Sequence, residues 1–293
     1  LREGMDVLRE DDDALHAFRF ANKAMGLQRI FSQFALAKRR NLKKSTEEIK
    51  DPKNATWRPF QLAFLLLNIP SLSQPSHRDR ITYAEASADL LWFPTGGGKT
   101  EAYLGIAAFT MAIRRLKPDL GSFDASRGLG VVMRYTLRLL TIQQFQRAAT
   151  LICAMEIIRR SDDATNNSPW GSTPFTIGLW VGNKVTPGTT KQSAAAISAI
   201  KNDNRRNPNS SPAQLTSCPC CGTEIKPGED IEIDEAHGRT LIYCPDRKCQ
   251  FSRGNSSMQP HPGLPVVVVD EEIYRRPPSM MIATVDKFAM MAW

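Results

Sequence analysis

The sequence contains no long hydrophobic run. Although 42% of its 293 residues are hydrophobic, no stretch approaches the roughly 20 consecutive apolar residues that a membrane-spanning helix needs. The first residues, "LREGMDVLRE", are charged, whereas a secretory signal has an apolar centre. These absences predict a cytoplasmic protein with no membrane segment, and the apolar content is sufficient for a substantial core.

Cysteine is scarce outside one short segment. Five of the six cysteines lie between positions 218 and 249, and Cys153 stands alone in an apolar stretch. This distribution excludes the disulfide framework of a small secreted protein and favours a metal site in a reducing compartment. We expect Cys153 to be an ordinary buried thiol.

The sequence also lacks an initiator methionine, and it stops at the apolar segment "FAMMAW" without a polar tail. We therefore expect the chain to be a fragment of a longer protein. Its length allows one large domain or two domains of ordinary size. No internal repeat is visible.

Positive charge is concentrated in one part of the sequence. The net charge is +8, and between Ala102 and Arg160 there are nine lysines and arginines but only three acidic residues. A basic surface of this kind suits a polyanion such as DNA or RNA. A solubilising surface with no partner would have the same composition, so charge alone leaves both interpretations open.

The order of helix-like and strand-like segments divides the chain into four parts. After a helical N-terminal region the two types alternate, which predicts an α/β fold with a mostly parallel sheet. The first predicted strand is the apolar run "DLLWF" at 89–93. We expect a helical region at 1–56, the first part of an α/β lobe at 57–182, an insertion at 183–262, and a continuation of the lobe at 263–293.

The segment "FPTGGGKT" at 93–100 has the composition of a phosphate-binding loop. In such a loop, backbone N–H groups and a lysine contact the phosphates, and a Ser or Thr hydroxyl binds Mg²⁺. Lys99 and Thr100 are therefore the candidate catalytic residues, with ATP and Mg²⁺ as cofactors. The usual pattern begins with Gly or Ala where this chain has Phe93, a position that shapes the turn. The predicted nucleotide-binding residues of the loop are Thr95, Gly96, Gly97, Gly98, Lys99, Thr100 and Glu101.

Four cysteines form two closely spaced pairs. Two residues separate the first pair and four separate the second, and two such pairs on tight turns are typical of a tetrahedral structural zinc site. The predicted Zn²⁺ ligands are Cys218, Cys221, Cys244 and Cys249. The resulting zinc ribbon would stabilise an insertion that has little core of its own. Cys220 is a spare thiol that could replace Cys221, and we expect His237 to be a surface residue.

Several motifs occur in the same order as in superfamily 2 helicases. "PTGGGKT" resembles their motif I, and "WRPFQ" at 57–61 resembles the glutamine motif that precedes it. This resemblance implies that Arg58 and Gln61 bind the nucleotide, with Gln61 bonded to the adenine edge. It also implies nucleic-acid contacts in "VVMRYTLRLLTIQQ", "LWVGN" and "IATVDKF". The residues concerned are Arg134, Thr136, Arg138, Gly182, Thr284 and Lys287.

A narrower resemblance rests on "ANKAM", "WFPTGGGKTEAYLG", "RYTLRLLTIQQ" and "ATVDKFA". Together these segments resemble the helicase family of DISARM, a bacterial anti-phage defence system. The resemblance spans nearly the whole chain except the polar part of the insertion. It implies the first RecA-like lobe of a DNA-dependent ATPase, a helicase or translocase that acts on single-stranded DNA or on duplex with an end. It also implies a partner subunit resembling DrmB.

The run "VVVVDEE" at 266–272 looks like the strand that carries the catalytic Asp-Glu pair of such ATPases. We interpret it otherwise, because the helicase pair follows the "TVDK"-like motif whereas Asp270 precedes it. In addition, no histidine stands two residues after Glu271. We expect the Asp-Glu-x-His box beyond Trp293, so that this chain alone would hydrolyse ATP poorly.

Two other functions fit parts of the same sequence. A zinc ribbon on a nucleotide-binding lobe could be a nucleic-acid-binding or partner-docking module that does not hydrolyse ATP. A nucleotide kinase would share the glycine loop, but it predicts an arginine-bearing lid and no "RYTLRLLTIQQ" motif.

Overall fold

A computed structural model describes most of the chain. The described residues are 1–42, 46–51, 56–81, 87–94, 96–119, 124–136, 138–163, 168–203, 209–254 and 262–289. Thr95 of the glycine loop lies outside these ranges, and so does the side chain of Arg138.

Three helices precede the α/β part of the chain. They are α1 (Arg2–Glu10), α2 (Asp12–Arg39) and α3 (Thr46–Lys50). The extended backbone of Asp11 ends α1, and its side chain accepts a hydrogen bond from the Ala14 N–H at 3.0 Å. This N-cap satisfies one of the free N–H groups at the start of α2, so the long helix begins at a defined residue.

Eight helices and six strands complete the secondary structure of the described residues. The helices are α4 (Pro59–Ser73), α5 (Arg78–Ile81), α6 (Lys99–Leu116), α7 (Arg138–Asp163), α8 (Thr190–Asn202), α9 (Pro227–Asp230), α10 (Asp270–Arg275) and α11 (Val285–Ala289). The strands are β1 (Val131–Tyr135), β2 (Ile177–Trp180), β3 (Ile231–Asp234), β4 (Arg239–Ile242), β5 (Val266–Val267) and β6 (Met280–Thr284).

Four strands form a parallel sheet in the order β1-β6-β2-β5. The inner strand β6 is buried along its whole length, as expected for a parallel strand covered on both faces. The predicted α/β class and parallel sheet are thereby confirmed. Strands β3 and β4 form a separate antiparallel hairpin.

The prediction of a strand at 89–93 is wrong. These residues have no regular secondary structure, and the side chains of Leu90 and Trp92 are 84% and 87% exposed. A strand exists only where a neighbouring strand accepts its backbone hydrogen bonds, and no described strand pairs with this segment. A short apolar run gives the side-chain composition of a strand but does not supply that neighbour.

The run at 266–272 is a strand only at its start. Strand β5 contains two residues, and the acidic run that follows begins the short helix α10. Acidic residues are favoured in the first turn of a helix, because they interact with the positive end of its dipole. The change from strand to helix therefore falls at Asp270.

Close packing of small side chains joins α2 to α6. The buried face of α2 carries alanines spaced three or four residues apart, and α6 buries alanines of its own. These residues are Ala14, Ala17, Ala21 and Ala24 on α2, and Ala107, Ala108 and Ala112 on α6. Small side chains let two helix backbones approach closely, so α2 becomes part of the main core.

Several arginines of the basic segment between Ala102 and Arg160 contact other residues of the protein rather than solvent alone. Glu156 is fully buried on α7 and accepts two hydrogen bonds of 2.8 Å from Arg159 and one of 2.9 Å from Arg160. The Arg115 guanidinium lies 4.7 Å from the centre of the Phe175 ring, and burial, together with the nearby charge of Arg159, lowers its pKa to about 10. The local excess of positive charge is therefore not one continuous outer surface.

Within the described part of the chain, no helix combines the length and the apolar composition that crossing a membrane would require.

Candidate functional site

The glycine loop forms a turn that leads directly into α6. The Gly97 N–H donates to the Pro94 carbonyl at 3.1 Å and closes the turn. Gly96 and Gly98 have φ values of 79° and 93°, in the left-handed region that glycine adopts at little cost. Gly98 is the N-cap of the 18-residue helix α6, whose first N–H groups and positive dipole end attract anions. The described part of the loop thus has the backbone geometry of an anion-binding turn.

Two residues at the start of α4 hold the carbonyl groups of this loop. Arg58 Nη1 donates to the Gly97 carbonyl at 2.7 Å, and Gln61 Nε2 donates to the Gly98 carbonyl at 2.8 Å. Gln61 Oε1 also accepts from the Arg58 N–H at 2.8 Å. A Cβ atom on Gly98 would lie 2.7 Å from Gln61 Nε2, so a larger residue would break this contact. The structure therefore brings together the predicted Arg58, Gln61 and glycine residues.

Lys99 lies against the same loop. Its Nζ donates to the Phe93 carbonyl and, at 3.2 Å, to the Pro94 carbonyl. The Phe93 ring stacks on Phe60 with a centroid distance of 3.8 Å, which fixes the first residue of the loop to α4. Lys99 is half-buried, but its bonds to the two carbonyls are exposed to solvent, so an incoming phosphate can compete with these carbonyls.

Glu101 forms an ion pair with Arg147 of α7. Both side chains are more than a third exposed, and both border the opening beside the loop. Thr100, the predicted Mg²⁺ ligand, is half-buried in the first turn of α6. Sequence reasoning missed Arg147, because nothing in its local pattern marks a partner 46 residues away.

A cleft of about 690 Å³ opens beside the glycine loop. Gly96, Gly98 and Gln61 line it, together with residues of α2, α7 and the first cysteine turn. Four arginines and one carboxylate line it, so the cleft favours an anionic ligand. These residues are Arg29, Arg39, Arg58, Arg147 and Glu101.

The four predicted zinc ligands lie together. The Sγ atoms of Cys218, Cys221, Cys244 and Cys249 are all within 4.8 Å of one another. Cys218 and Cys249 are 3.8 Å apart, and Cys221 and Cys244 are 3.5 Å apart. A tetrahedral zinc ion with Zn–S bonds of about 2.3 Å requires S···S distances of roughly 3.8 Å. The cluster could therefore hold a metal ion such as zinc.

Backbone hydrogen bonds shape the two turns that carry these thiols. In the first turn the Gly222 N–H donates to the Cys218 carbonyl at 2.9 Å, and Gly222 has a φ of 72°. In the second, the Cys249 N–H donates to the Asp246 carbonyl at 2.8 Å. Hydrogen bonds with Cys218 and the other thiols lower the pKa of Cys221 and raise that of Cys244. The antiparallel hairpin β3–β4 lies between the two turns in the chain.

The spare cysteine is not part of the group of four. Cys220 is buried and hydrogen-bonds both Cys153 of α7 and Cys218, but the four sulfur atoms that lie within 4.8 Å of one another include that of Cys221 and not that of Cys220. Cys153 is buried, as predicted. The His237 side chain is 73% exposed and bonded to Asp234 at 2.7 Å, which confirms its surface position.

The first cysteine turn packs directly on α2 and α7. A Cβ atom on Gly222 would lie 2.6 Å from Ala35 Cα, so the backbone of the turn touches the backbone of α2. Lys38 Nζ donates to Thr223 Oγ1 at 2.6 Å. On the other side, Thr150 Oγ1 of α7 donates to the Pro219 carbonyl at 3.5 Å. The cysteine cluster is thus attached to the walls of the cleft.

The predicted nucleic-acid contacts gather at one edge of the sheet. In parallel strands all carboxyl ends point the same way, and β1, β6 and β2 pair so that Tyr135 lies opposite Thr284 and Trp180 opposite Ala283. Thr136, Gly182 and Lys287 follow these three strands. Arg134 and Thr136 are exposed, whereas Thr284 is only 2% exposed. The structure thus brings the segments together but leaves the Thr284 side chain without access to a polyanion.

Lys287 and Asp270 form a half-buried ion pair at this edge. Lys287 Nζ contacts Asp270 Oδ2 at 2.5 Å and Asn183 Oδ1 at 3.3 Å. Burial raises the pKa of the Asp270 carboxyl, and the hydrogen bond from Lys287 opposes that rise. Glu271 Oε2 accepts from the N–H and the hydroxyl of Thr190 at 2.9 and 3.3 Å, and so caps α8. Asp270 and Glu271, the first two acidic residues of the "DEE" run, therefore have structural partners.

Comparison with known proteins identifies one relevant relative. No family model matches the chain. The chain is 38% identical over 303 aligned residues to a curated protein of Bacillus paralicheniformis. That relative is DISARM protein DrmA. The match covers 100% of this chain and 25% of DrmA, so the chain spans about a quarter of the length of the relative. The predicted resemblance to DrmA is thereby confirmed along the whole chain.

Proposed function

We propose that this chain is the nucleotide-binding part of a DNA-dependent ATPase, a helicase or translocase, of DISARM-type anti-phage defence. The observation that carries the proposal is the way in which the glycine loop is held. Gly98 caps α6 and Lys99 lies on the loop. Arg58 and Gln61 donate hydrogen bonds to the loop carbonyls. This arrangement occurs in a chain that is 38% identical to DrmA. A RecA-like lobe and a zinc-ribbon insertion belong to the same proposal.

The loop binds the phosphates of ATP through its backbone. The N–H groups at the start of α6 donate to phosphate oxygens, and Lys99 exchanges the carbonyls of Phe93 and Pro94 for the β and γ oxygens. Little is lost in this exchange, since the Lys99 contact with those carbonyls is exposed to solvent. Gly96, Gly97 and Gly98 allow close approach, because they carry no side chains. Thr95 has the same assignment from its position in the loop.

Thr100 follows Lys99 in the first turn of α6, so its hydroxyl would serve as a Mg²⁺ ligand. Bound Mg²⁺ supplies positive charge that polarises the terminal phosphate. Glu101 and Arg147 stand beside it, and their ion pair positions α7 against α6. Lys99 and Thr100 are the residues assigned to catalysis.

Arg58 and Gln61 couple the base end of the site to the loop. The Gln61 amide already caps α4 and bonds the Gly98 carbonyl, yet its nitrogen retains a second N–H and its oxygen a second lone pair. These remaining positions can bond an adenine edge. Loss of the base contact would therefore also weaken the binding of the phosphates by the loop.

Asp270 and Glu271 do not activate water in this proposal. Asp270 is bonded to Lys287, and Glu271 caps α8. We assign hydrolysis to a carboxylate other than these two, in keeping with the order of motifs in helicases.

DNA binds at the carboxyl edge of the parallel sheet. Arg134, Thr136, Arg138, Gly182 and Lys287 are assigned to phosphate contacts there, and Thr284 to a contact that requires the edge to open. Side chains and backbone groups of these types are the usual partners of nucleic-acid phosphates. A subunit resembling DrmB is the proposed protein partner.

The direct test is ATP hydrolysis by the full-length protein, measured with and without single-stranded DNA and compared with Lys99→Ala. We expect DNA to stimulate turnover and the variant to lose roughly 10²-fold or more, since the lysine contacts the transferred phosphate. A Lys23→Ala variant, on the exposed side of α2, controls for surface charge.

Turnover that is absent or indifferent to DNA would contradict the ATPase proposal. If ATP still bound in a Lys99-dependent manner, the chain would instead act as a nucleic-acid-binding or partner-docking module that does not hydrolyse ATP. The contact between the cysteine cluster and the cleft walls would then be the feature to test by mutation.

A further inference from the structure

The cleft beside the glycine loop has a wall that no motif predicts. The helix α2 precedes the loop by more than 50 residues, yet one of its faces lines the cleft. Asn22, Gly26, Arg29 and Gln33 all border the opening, and their spacing of four, three and four residues puts them on a single face of the helix. Gly96 and Gly98 of the glycine loop line the same cleft, so a ligand whose phosphates bind at the loop can extend from them along α2.

The position of this wall is fixed relative to the loop. Trp57 Nε1 donates to Asn22 Oδ1 at 2.6 Å, which ties α2 to the segment that carries Arg58 and Gln61. The Trp57 ring also contacts α6, because a Cβ on Gly105 would lie 2.8 Å from it. Helix α2, Arg58, Gln61 and helix α6 therefore form one packed unit. The wall of the cleft formed by α2 does not depend on a bound ligand.

Gly26 leaves an open space in this wall. It lies in the interior of the 28-residue helix α2, where glycine is less favourable than alanine by about 1 kcal/mol. A Cβ atom at this position would meet nothing within 4 Å. Packing against a neighbouring helix therefore does not require glycine here. What the missing side chain does provide is free volume on the cleft side of α2.

The chemistry of the walls suits a nucleoside. Arg29 of α2 and Arg147 of α7 both line the opening, and amide side chains such as Gln33, Gln143 and Gln146 supply donors and acceptors. Nucleobase edges carry both kinds of group, and a ribose carries hydroxyls. The cleft volume of about 690 Å³ lies within the usual range for small-molecule sites.

We propose that the base and ribose of the bound nucleotide lie against α2 at Gly26, so that this helix determines how well a nucleoside is accepted. The inference rests on the proposed binding of ATP at the glycine loop, and it adds Gly26 and the neighbouring face of α2 to the site. Phosphates are held by the loop, and the nucleoside lies between Gln61 and α2, which line the same cleft.

The test separates the two halves of the ligand. Affinities of the full-length protein for Mg²⁺-ATP and for inorganic tripolyphosphate are measured by calorimetry for the wild type, Gly26→Leu, Gly26→Ala and Lys99→Ala. We expect Gly26→Leu to weaken ATP binding roughly tenfold or more, equivalent to about 1.4 kcal/mol, with tripolyphosphate binding unchanged. Lys99→Ala weakens both ligands. Lys23→Leu adds the same side chain to an exposed position of α2 and leaves both affinities unchanged.

Stability measurements exclude a folding defect. Both Gly26 variants introduce better helix formers into open space, so their unfolding temperatures are expected to equal or exceed that of the wild type. Lower ATP affinity in a more stable protein supports the proposal.

Three results would overturn it. Gly26→Leu that binds ATP like the wild type removes α2 from the site and leaves ATP binding at the loop intact. Equal weakening of ATP and tripolyphosphate means that the substitution disturbs the loop rather than the nucleoside. A wild type that binds neither ligand refutes the proposed function itself, and the role of α2 with it.

Discussion

A single amide, that of Gln61, links two parts of the candidate site. Its oxygen caps α4 and its nitrogen bonds the Gly98 carbonyl. A side chain that is 5% exposed and holds two backbone groups has few alternative rotamers. The orientation of the loop therefore depends on a residue 37 positions earlier in the chain.

Glu156 is the residue whose loss we expect to destabilise the fold most clearly. Glu156→Gln removes the charge that compensates the buried Arg159 and the partly buried Arg160, and breaking a buried ionic group of this kind costs about 3–5 kcal/mol. Thermal unfolding of the full-length protein and hydrogen exchange of α7 peptides measure the effect. Faster exchange across α7 is the expected result.

Glu229→Gln is the matched control for this substitution. The Glu229 side chain is 70% exposed in its pair with Lys226, and exposed pairs contribute little to stability. Unchanged α7 exchange in Glu156→Gln would show that the buried cluster does not stabilise this helix.

Among single residues, the sequence could predict the role of those that act together with close neighbours in the chain. The glycines of the loop and the two cysteine pairs were recognisable because their chemistry needs close neighbours in the chain. The ion pairs Glu101–Arg147 and Asp270–Lys287 join residues 46 and 17 positions apart. They depend on how helices and strands pack, which no local pattern encodes.

Among the elements, the hairpin β3–β4 and its flanking turns depend most on the cysteine cluster. Cys249→Ser removes one of four thiolates, and we expect zinc content to fall from about one ion per chain to near zero. Elemental analysis of the purified full-length protein measures this directly. Hydrogen exchange in 231–242 should accelerate, because the turns that flank the hairpin lose their common anchor.

Cys220→Ala is the control, since Cys220 is not among the four cysteines whose sulfur atoms lie within 4.8 Å of one another. It should retain zinc. Zinc loss in Cys220→Ala together with retention in Cys221→Ala would mean that the spare thiol is the ligand.

Helices and strands could be predicted from the sequence where their limits depend on residues close by in the chain. Helix α6 begins at the residue after the glycines and ends before Pro118, as its pattern indicates. The run at 89–93 has the same apolar character as β6, yet β6 is buried between β1 and β2 while Leu90 and Trp92 are exposed. The two runs differ in whether neighbouring strands are available to pair with them, and the composition of a run does not reveal this.

For the whole molecule, the placement of charge matters more than its sum. The net charge is +8, but Arg115, Arg159 and Arg160 are used around Glu156 and the Phe175 ring. Long-range attraction for a polyanion must come from side chains that remain exposed, such as Arg134 on β1. Net charge alone therefore predicted a basic protein but not which surface could attract a polyanion.

Arg134→Ala tests that surface. We expect weaker binding to single-stranded DNA and a slope of log affinity against log salt that is smaller in magnitude by roughly 0.7, the value for one phosphate contact on a single strand. Fluorescence anisotropy across a salt series measures both quantities for the full-length protein. Arg2→Ala, an exposed change on α1, should leave the slope unchanged. Equal slopes for the wild type and Arg134→Ala would remove β1 from the DNA contact.

The contact between α2 and the first cysteine turn also bears on the order of synthesis. Lys38 and Thr223, which hydrogen-bond across it, are 185 residues apart in the chain. At translation rates of roughly 5–20 residues per second, α2 is made about 10–40 s before its partner leaves the ribosome. During that interval the face around Ala35 is uncovered, so the nascent N-terminal helix is a natural client for a chaperone until the cysteine turn arrives.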